Sequence, residues 1–197
     1  MAVPCRHCGR EYDVALFAFG RTIWCTCGSR VGIEPRVRAA DHPAKRAFVA
    51  DAMLGKLARW LRLLGFDCVH DPEITDEGIV RLAVSDGRTL LTRDRSLPEE
   101  WWIPDIYLVN EEELRGQLVE VIQRFDLAAS IRALTRCNAC NRSLTAVSRS
   151  EVSGRVPARV LEEHDDFSEC RACGRVYWEG SHAARVRAVA NELAATA

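Results

Sequence analysis

Eight of the nine cysteines fall into two groups of four near opposite ends of the chain: Cys5, Cys8, Cys25 and Cys27, then Cys137, Cys140, Cys170 and Cys173. Each group opens with a CxxC pair, whose spacing lets two thiolates reach one ion from a tight turn. A second pair follows after 16 residues in the first group and 29 in the second, room enough for a hairpin. The first group closes with CxC, the less common form. Two converging pairs with no open position are the pattern of a structural zinc, whereas a redox CxxC needs only one pair. Residues 1–33, too few to bury a core unaided, therefore read as a zinc ribbon, and residues 134–182 as a second. Gly9, Gly28 and Gly174 follow ligand pairs, where the chain needs an unusual turn. His7, His42, His70, His164 and His182 lack ligand-like spacing, and Cys68 reads as an apolar core residue.

Charge divides the chain in the same places. Residues 1–46 carry a net +4, residues 47–126 a net −7 and residues 127–197 a net +2. An acidic middle between basic modules repels nucleic acid unless cations neutralise it. Nearly all the basic residues are Arg, which suits bidentate phosphate contacts. A hydrophobic content of 48% with 28% charged residues is that of a globular chain. No apolar run reaches about 18 residues, so no membrane span is expected. The start, MAVPCRHCGR, lacks a signal-peptide pattern, and a cytoplasmic setting is expected.

Residues 34–46, with two prolines and mixed charge, read as a linker. Residues 47–133 alternate strand and helix signals: AFVAD, the amphipathic MLGKLARWLRLLG, FDCVHD, TDEGIVRLAVSDG, RTLLT, DIYLVN and EEELRGQLVEVIQRF. That alternation predicts an α/β domain, a mostly parallel sheet covered on both faces. Residues 183–197 close the chain as an Ala-rich helix.

Ligands bind at the carboxyl ends of parallel strands. Asp51 ends one predicted strand, Asp94 follows another, and Asp76 begins the helix after FDCVHD. Three carboxylates at one sheet edge repel unless divalent cations intervene, and Mg²⁺ or Mn²⁺ take such oxygen ligands. Two ions about 4 Å apart can align a water and a leaving oxygen for attack on a phosphodiester. Bland readings stand beside this one: Asp76 suits a helix dipole, and Asp94 a surface turn. Lys56, Arg59 and Arg62 share a broad helix face and, with Arg93 and Arg95, are candidate phosphate contacts; a solvated face is the alternative. No P-loop or GxGxxG is present.

FVADAMLGKLARWLRLLGFD, TDEGIVRLA, RTLLTRDRSL, RCNACNRSL and FSECRACGRVYWEGSH together resemble the PIN-like ribonuclease family named after the C-terminal domain of a mutator exonuclease. The resemblance spans about residues 47–182 and includes the second ribbon. It implies a three-layer α/β/α fold, a metal-binding acid cluster at Asp51, Asp76 and Asp94, a site-orienting hydroxyl at Thr92, and RNA as substrate. A fourth acid common in such nucleases has competing candidates: Asp71, Asp105 and Glu111–Glu113. The first ribbon lies outside the family pattern. Tyr177 and Trp178 could stack a base and His182 touch phosphate, although packing within the ribbon's own hairpin is the favoured reading of Tyr177 and Trp178.

The leading expectation is thus a Mg²⁺- or Mn²⁺-dependent endoribonuclease with two structural zinc ions, acting on single-stranded or structured RNA. Two readings compete: a non-catalytic RNA- or ribosome-binding protein, and a toxin-like nuclease held by an inhibitory partner.

Overall fold

The computed structural model describes residues 1–34 and 46–195, so most of the linker read over residues 34–46 lies outside the described residues. In the N-terminal ribbon β1 (Ala2–Pro4) pairs antiparallel with β2 (Glu11–Asp13), and β3 (Thr22–Trp24) with β4 (Arg30–Gly32). The alternating pattern of EYDVALFAFG stops being strand at Asp13. Its carboxylate accepts the Ala15 N–H at 2.9 Å and starts a run of 3₁₀ turns over Val14–Gly20, broken by a kink at Phe17–Phe19. That turn packs Phe17 into the ribbon interior with Cys5, Cys25 and Val31, giving the small module an aromatic plug.

The middle alternates as expected: β5 (Ala47–Ala50), a 3₁₀ turn (Ala52–Leu54), α1 (Gly55–Leu63), β6 (Asp67–Val69), α2 (Asp76–Ser85) and β7 (Thr89–Thr92). A short helix α3 (Leu97–Glu100), which the pattern did not predict, precedes β8 (Ile106–Leu108) and α4 (Leu114–Arg124). The four strands form one sheet in the order β6-β5-β7-β8. β5, β7 and β8 are parallel, with Ala50 opposite Leu91 and Thr92 opposite Leu108. AFVA is apolar throughout, and TLLT, bounded by two buried threonines, is buried at every position, because these strands are covered on both faces.

In the C-terminal part β9 (Thr145–Val147), α5 (Arg149–Val152), α6 (Ala158–Glu163), β10 (Phe167–Glu169) and β11 (Val176–Trp178) lead to α7 (Ser181–Ala194). The ribbon sheet is antiparallel, in the order β11-β10-β9. The long interval between its cysteine pairs is therefore two antiparallel strands with two short helices between them rather than a plain hairpin. Val147, Val152 and Phe167 form its small core.

Contacts divide the chain into two interleaved compact units, Met1–Gly55 with His70–Asn110, and Lys56–Val69 with Glu111–Ala197. Each ribbon shares a unit with part of the α/β domain. In the first unit the N-terminal ribbon is docked through Trp101 and Trp102. Thr22 Oγ1 donates to the carbonyls of Glu99 and Glu100 at 2.9 and 3.0 Å, Trp102 N donates to Gly20 O at 2.8 Å, and Arg30 Nη2 donates to Trp101 O at 2.9 Å. The guanidinium of Arg30 also lies 5.6 Å from the Trp102 ring centre, and that of Arg21 5.7 Å from Trp101, within cation–π range.

In the second unit the C-terminal ribbon is fastened to α1 and β6. Buried Arg62 donates from Nε to Cys68 O at 2.7 Å and from Nη1 to the carbonyls of Asn138 and Ala139 at 3.2 and 2.9 Å. Asn141 returns the connection: Oδ1 accepts the Cys68 N–H at 3.1 Å and Nδ2 donates to Asp67 at 2.8 Å. Gly65 ends α1 at φ +98°, and a Cβ there would sit 2.3 Å from Arg132 O, so no larger residue fits. Cys68 is buried, as its apolar context predicted.

Candidate active site and metal centres

The carboxyl edge of the parallel strands carries Asp51, Thr92 and Asp94. Asp51, 8% exposed, stops β5 and caps the following turn. Its Oδ1 accepts the N–H groups of Met53 and Leu54 at 2.9 and 3.2 Å. Its Oδ2 accepts the Arg93 N–H at 3.0 Å and the hydroxyl of Thr92. Thr92, fully buried, in turn accepts the Asp94 N–H at 2.9 Å. One hydroxyl thus ties together the ends of two adjacent parallel strands. Asp94 is half-buried; its Oδ1 accepts from the Ser96 N–H and hydroxyl at 2.8 and 2.7 Å. Its Oδ2 has no hydrogen bond among the described residues.

Asp76 is exposed in the first turn of α2, which packs against β5 and β7. Thr75 caps that helix, accepting the Gly78 N–H at 3.1 Å, so the helix start does not require the Asp76 carboxylate. His70, which spacing alone did not single out, lies with Nε2 3.4 Å from Ala52 O, beside the turn that Asp51 caps. Among the described residues, groups of three or more His, Cys, Asp or Glu with ligand atoms all within 4.8 Å of one another are the two cysteine sets; Asp51, Asp76 and Asp94 do not form such a group. Unscreened carboxylates repel, and two of these three are held by neighbouring donors.

The cysteine sets are closely gathered. Sulfur pairs stand 3.6 Å apart for Cys5 and Cys27, 3.5 Å for Cys8 and Cys25, 3.6 Å for Cys137 and Cys173, and 3.3 Å for Cys140 and Cys170. Four sulfurs at tetrahedral zinc lie about 3.8 Å from one another, so each set can hold one zinc. No disulfide joins any of the nine cysteines. Crowding splits their acidities: the Cys27 N–H and then the Tyr12 hydroxyl help hold the Cys25 thiol down at about 5. Desolvation, with the Cys170 thiol beside it, pushes Cys140 up to about 12. A divalent cation removes that conflict by favouring every thiolate.

Each ligand pair sits on the same kind of turn. The N–H of Gly9, Gly28, Asn141 or Gly174 donates back to the carbonyl of Cys5, Cys25, Cys137 or Cys170 at 2.8–3.0 Å. All four residues have φ between +66° and +83°. The CxC half closes its turn one residue earlier and keeps this geometry. Asn141 stands where the other three turns have glycine, because Asn tolerates the left-handed region and here its side chain also binds β6. Its place in the turn series was the sequence signal for it, and the three glycines masked it.

The family model of the Mut7-C RNAse domain matches residues 46–190, well over half of the 197-residue chain. The chain belongs to the Mut7-C RNAse domain family. No curated protein and no solved structure matches it. The Mut7-C RNAse domain match takes in the whole parallel sheet and the C-terminal ribbon and leaves out the N-terminal ribbon, as the resemblance of the motifs implied.

Within this Mut7-C RNAse domain the basic candidates part company. Lys56 and Arg59 are exposed on α1. Arg62, read as part of the same open face, is 6% exposed and committed to three carbonyls, so it is a structural clamp. Arg95 is exposed and Arg93 half-buried after β7. Trp178 is half-buried against the ribbon core, and Tyr177 donates to Asn138 Oδ1 at 3.0 Å, so both pack the ribbon's own hairpin. His182 is exposed at the start of α7. Asp105, one candidate for a fourth acid, lies apart from Asp51 and Thr92. It binds Arg46 at 2.9 Å and Thr89 at 2.7 Å at the amino end of the parallel strands, opposite the edge bearing Asp51 and Thr92. Asp71, whose Oδ1 accepts the Glu73 N–H at 3.0 Å, and Glu111–Glu113 follow the carboxyl ends of β6 and β8. No helix among the described residues is long and apolar enough to cross a membrane.

Proposed function

We propose that this chain is a divalent-cation-dependent ribonuclease that hydrolyses RNA phosphodiesters at the carboxyl edge of its parallel sheet. Membership of a ribonuclease family supports the class of reaction. The observation that carries the location is the link from Asp51 through Thr92 to Asp94, which places two acids on adjacent strand ends. The donor set is all oxygen, suited to Mg²⁺ or Mn²⁺, and both Asp94 Oδ2 and the Asp76 carboxylate lack hydrogen-bond partners among the described residues. Asp51, Asp76 and Asp94 would hold the cations. When bound, such ions activate a water and stabilise the leaving oxygen in an in-line displacement.

The residues themselves do the positioning. Four hydrogen bonds fix the Asp51 carboxylate in one orientation, and the Thr92 hydroxyl sets the spacing between Asp51 and the Asp94 backbone. Arg95, in the same compact unit as the acids, supplies exposed positive charge for phosphates. RNA is the substrate of this reading, with internal cleavage and two cations its finer features.

The saturation of Asp51 by four donors favours a second reading, in which the acid edge is structural and the protein only binds RNA. Cleavage of single-stranded RNA in Mg²⁺ or Mn²⁺ separates the two. Wild type should cut, and Asp51→Asn and Asp94→Asn should each lose at least about a hundredfold in rate while keeping zinc content and fold. Activity surviving both substitutions removes the site assignment. A wild type that binds RNA with steep salt dependence yet never cuts favours the binding protein.

A further inference from the structure

We infer that the C-terminal ribbon and the start of α7 form a pocket for one unstacked nucleotide of a single-stranded RNA. The inference rests on the ribonuclease reading for the identity of the polymer. It concerns a cavity of about 510 Å³ lying wholly within the second compact unit.

The cavity has the mixed character a nucleotide needs. Leu63 and Leu134 give it apolar walls, and the half-buried indole of Trp178 borders it while packing against the ribbon core. Flat heteroaromatic rings are held by such surfaces, since every base has a π-face to stack. Polar groups with unused capacity meet the same space. The hydroxyl of Ser168 on β10 and the indole N–H of Trp178, both at the cavity wall, make no hydrogen bond among the described residues. Asn138 uses its Oδ1 to accept from Tyr177 at 3.0 Å and keeps its amide donors. A purely apolar ligand would leave these groups dry and unpaired, whereas the polar edge of a base satisfies them.

The position of a phosphate follows from α7. Ser181, His182 and Ala183, its first residues, line the cavity, and Gly180 at the N-cap offers no side chain to the free N–H groups. Those amides carry the positive end of a 14-residue helix, an arrangement that favours an anion beside the base. Arg187 is committed to Glu179, which it holds below the ordinary carboxylate range, so this ion pair borders the cavity without adding net charge. A base in the cavity with its phosphate at the helix start is therefore favoured over a free aromatic or a bare anion.

The test uses full-length, zinc-loaded protein. AMP is titrated while the indole N–H resonances of the five tryptophans are followed by NMR, that of Trp178 being assigned by its loss in Trp178→Phe. The Trp178 resonance should shift saturably with AMP and with single-stranded RNA, and not with ribose phosphate alone. Trp178→Ala should weaken AMP binding by about tenfold or more, the loss of one stacking surface. Because Trp178 also packs the ribbon, Ser168→Val gives an independent arm: it narrows the cavity and removes the hydroxyl within a strand that tolerates Val. Weakened AMP binding with full zinc content supports the pocket. AMP that leaves the Trp178 resonance unmoved, or that binds Ser168→Val as it binds wild type, overturns it. The readout is independent of cleavage. A wild type that binds AMP but cuts nothing sinks only the nuclease, and one that cuts RNA without moving Trp178 sinks only the pocket.

Discussion

Arg62 shows how a side chain can be read correctly for type and wrongly for task. Its place on a basic helix face suggested phosphate, but the ribbon's first ligand turn covers it, and its guanidinium satisfies three backbone carbonyls. Helical periodicity reports which face a residue occupies and says nothing about what lies over that face. Removing a buried donor leaves its acceptors unpaired, so Arg62→Ala should lower stability by about 3 kcal/mol in denaturant unfolding. A loss of RNA affinity without a loss of stability would contradict that role. Asp51 was readable from sequence because an acid directly after AFVA is unusual in a buried strand. Its partnership with Thr92 was implied only by the family resemblance, and the hydrogen bond shows the two meeting across β5 and β7.

At the level of elements, the strands and the three longer helices of the middle region were legible because each carries a clear period and a clear stop, whereas the four-residue α3 is too short to show either. The ribbon interiors were less so. EYDVALFAFG alternates like a strand, yet the capping carboxylate of Asp13 and the need to fill the space beside Cys5 and Cys25 turn it into 3₁₀ structure. Neither ribbon buries a core large enough to hold its turns without metal. A bound zinc contributes on the order of 10 kcal/mol to such a module. Two zinc ions per chain are expected by atomic absorption, and chelation should unfold both ribbons while much of the middle helix signal persists in circular dichroism. Protein that purifies without zinc and is indifferent to chelators would refute both centres.

Across the whole molecule, each ribbon is built into a compact unit with elements of the α/β domain. The N-terminal ribbon, which spacing and a proline-containing linker presented as a tethered accessory, covers Trp101, leaving it 6% exposed, and supplies the partner of the Glu99 and Glu100 carbonyls of α3. Deleting residues 1–33 should therefore uncover Trp101 and cost the remainder about 3 kcal/mol in unfolding free energy, with lower solubility. An unchanged unfolding midpoint would return the ribbon to the status of an appendage. Sequence alone determined the two four-cysteine sets, the alternating α/β order, the family, and the acids that end the strands, because ligand spacing, hydrophobic period and strand-terminal position are local properties of the chain. Tertiary structure alone decided that Asp105 lies at the amino end of the sheet, opposite Asp51, that Arg62 and Asn141 bind the second ribbon to α1 and β6, and that the first ribbon is docked on Trp101 and Trp102. These depend on which surfaces meet, and a meeting between segments far apart in the chain leaves no periodic trace in either one.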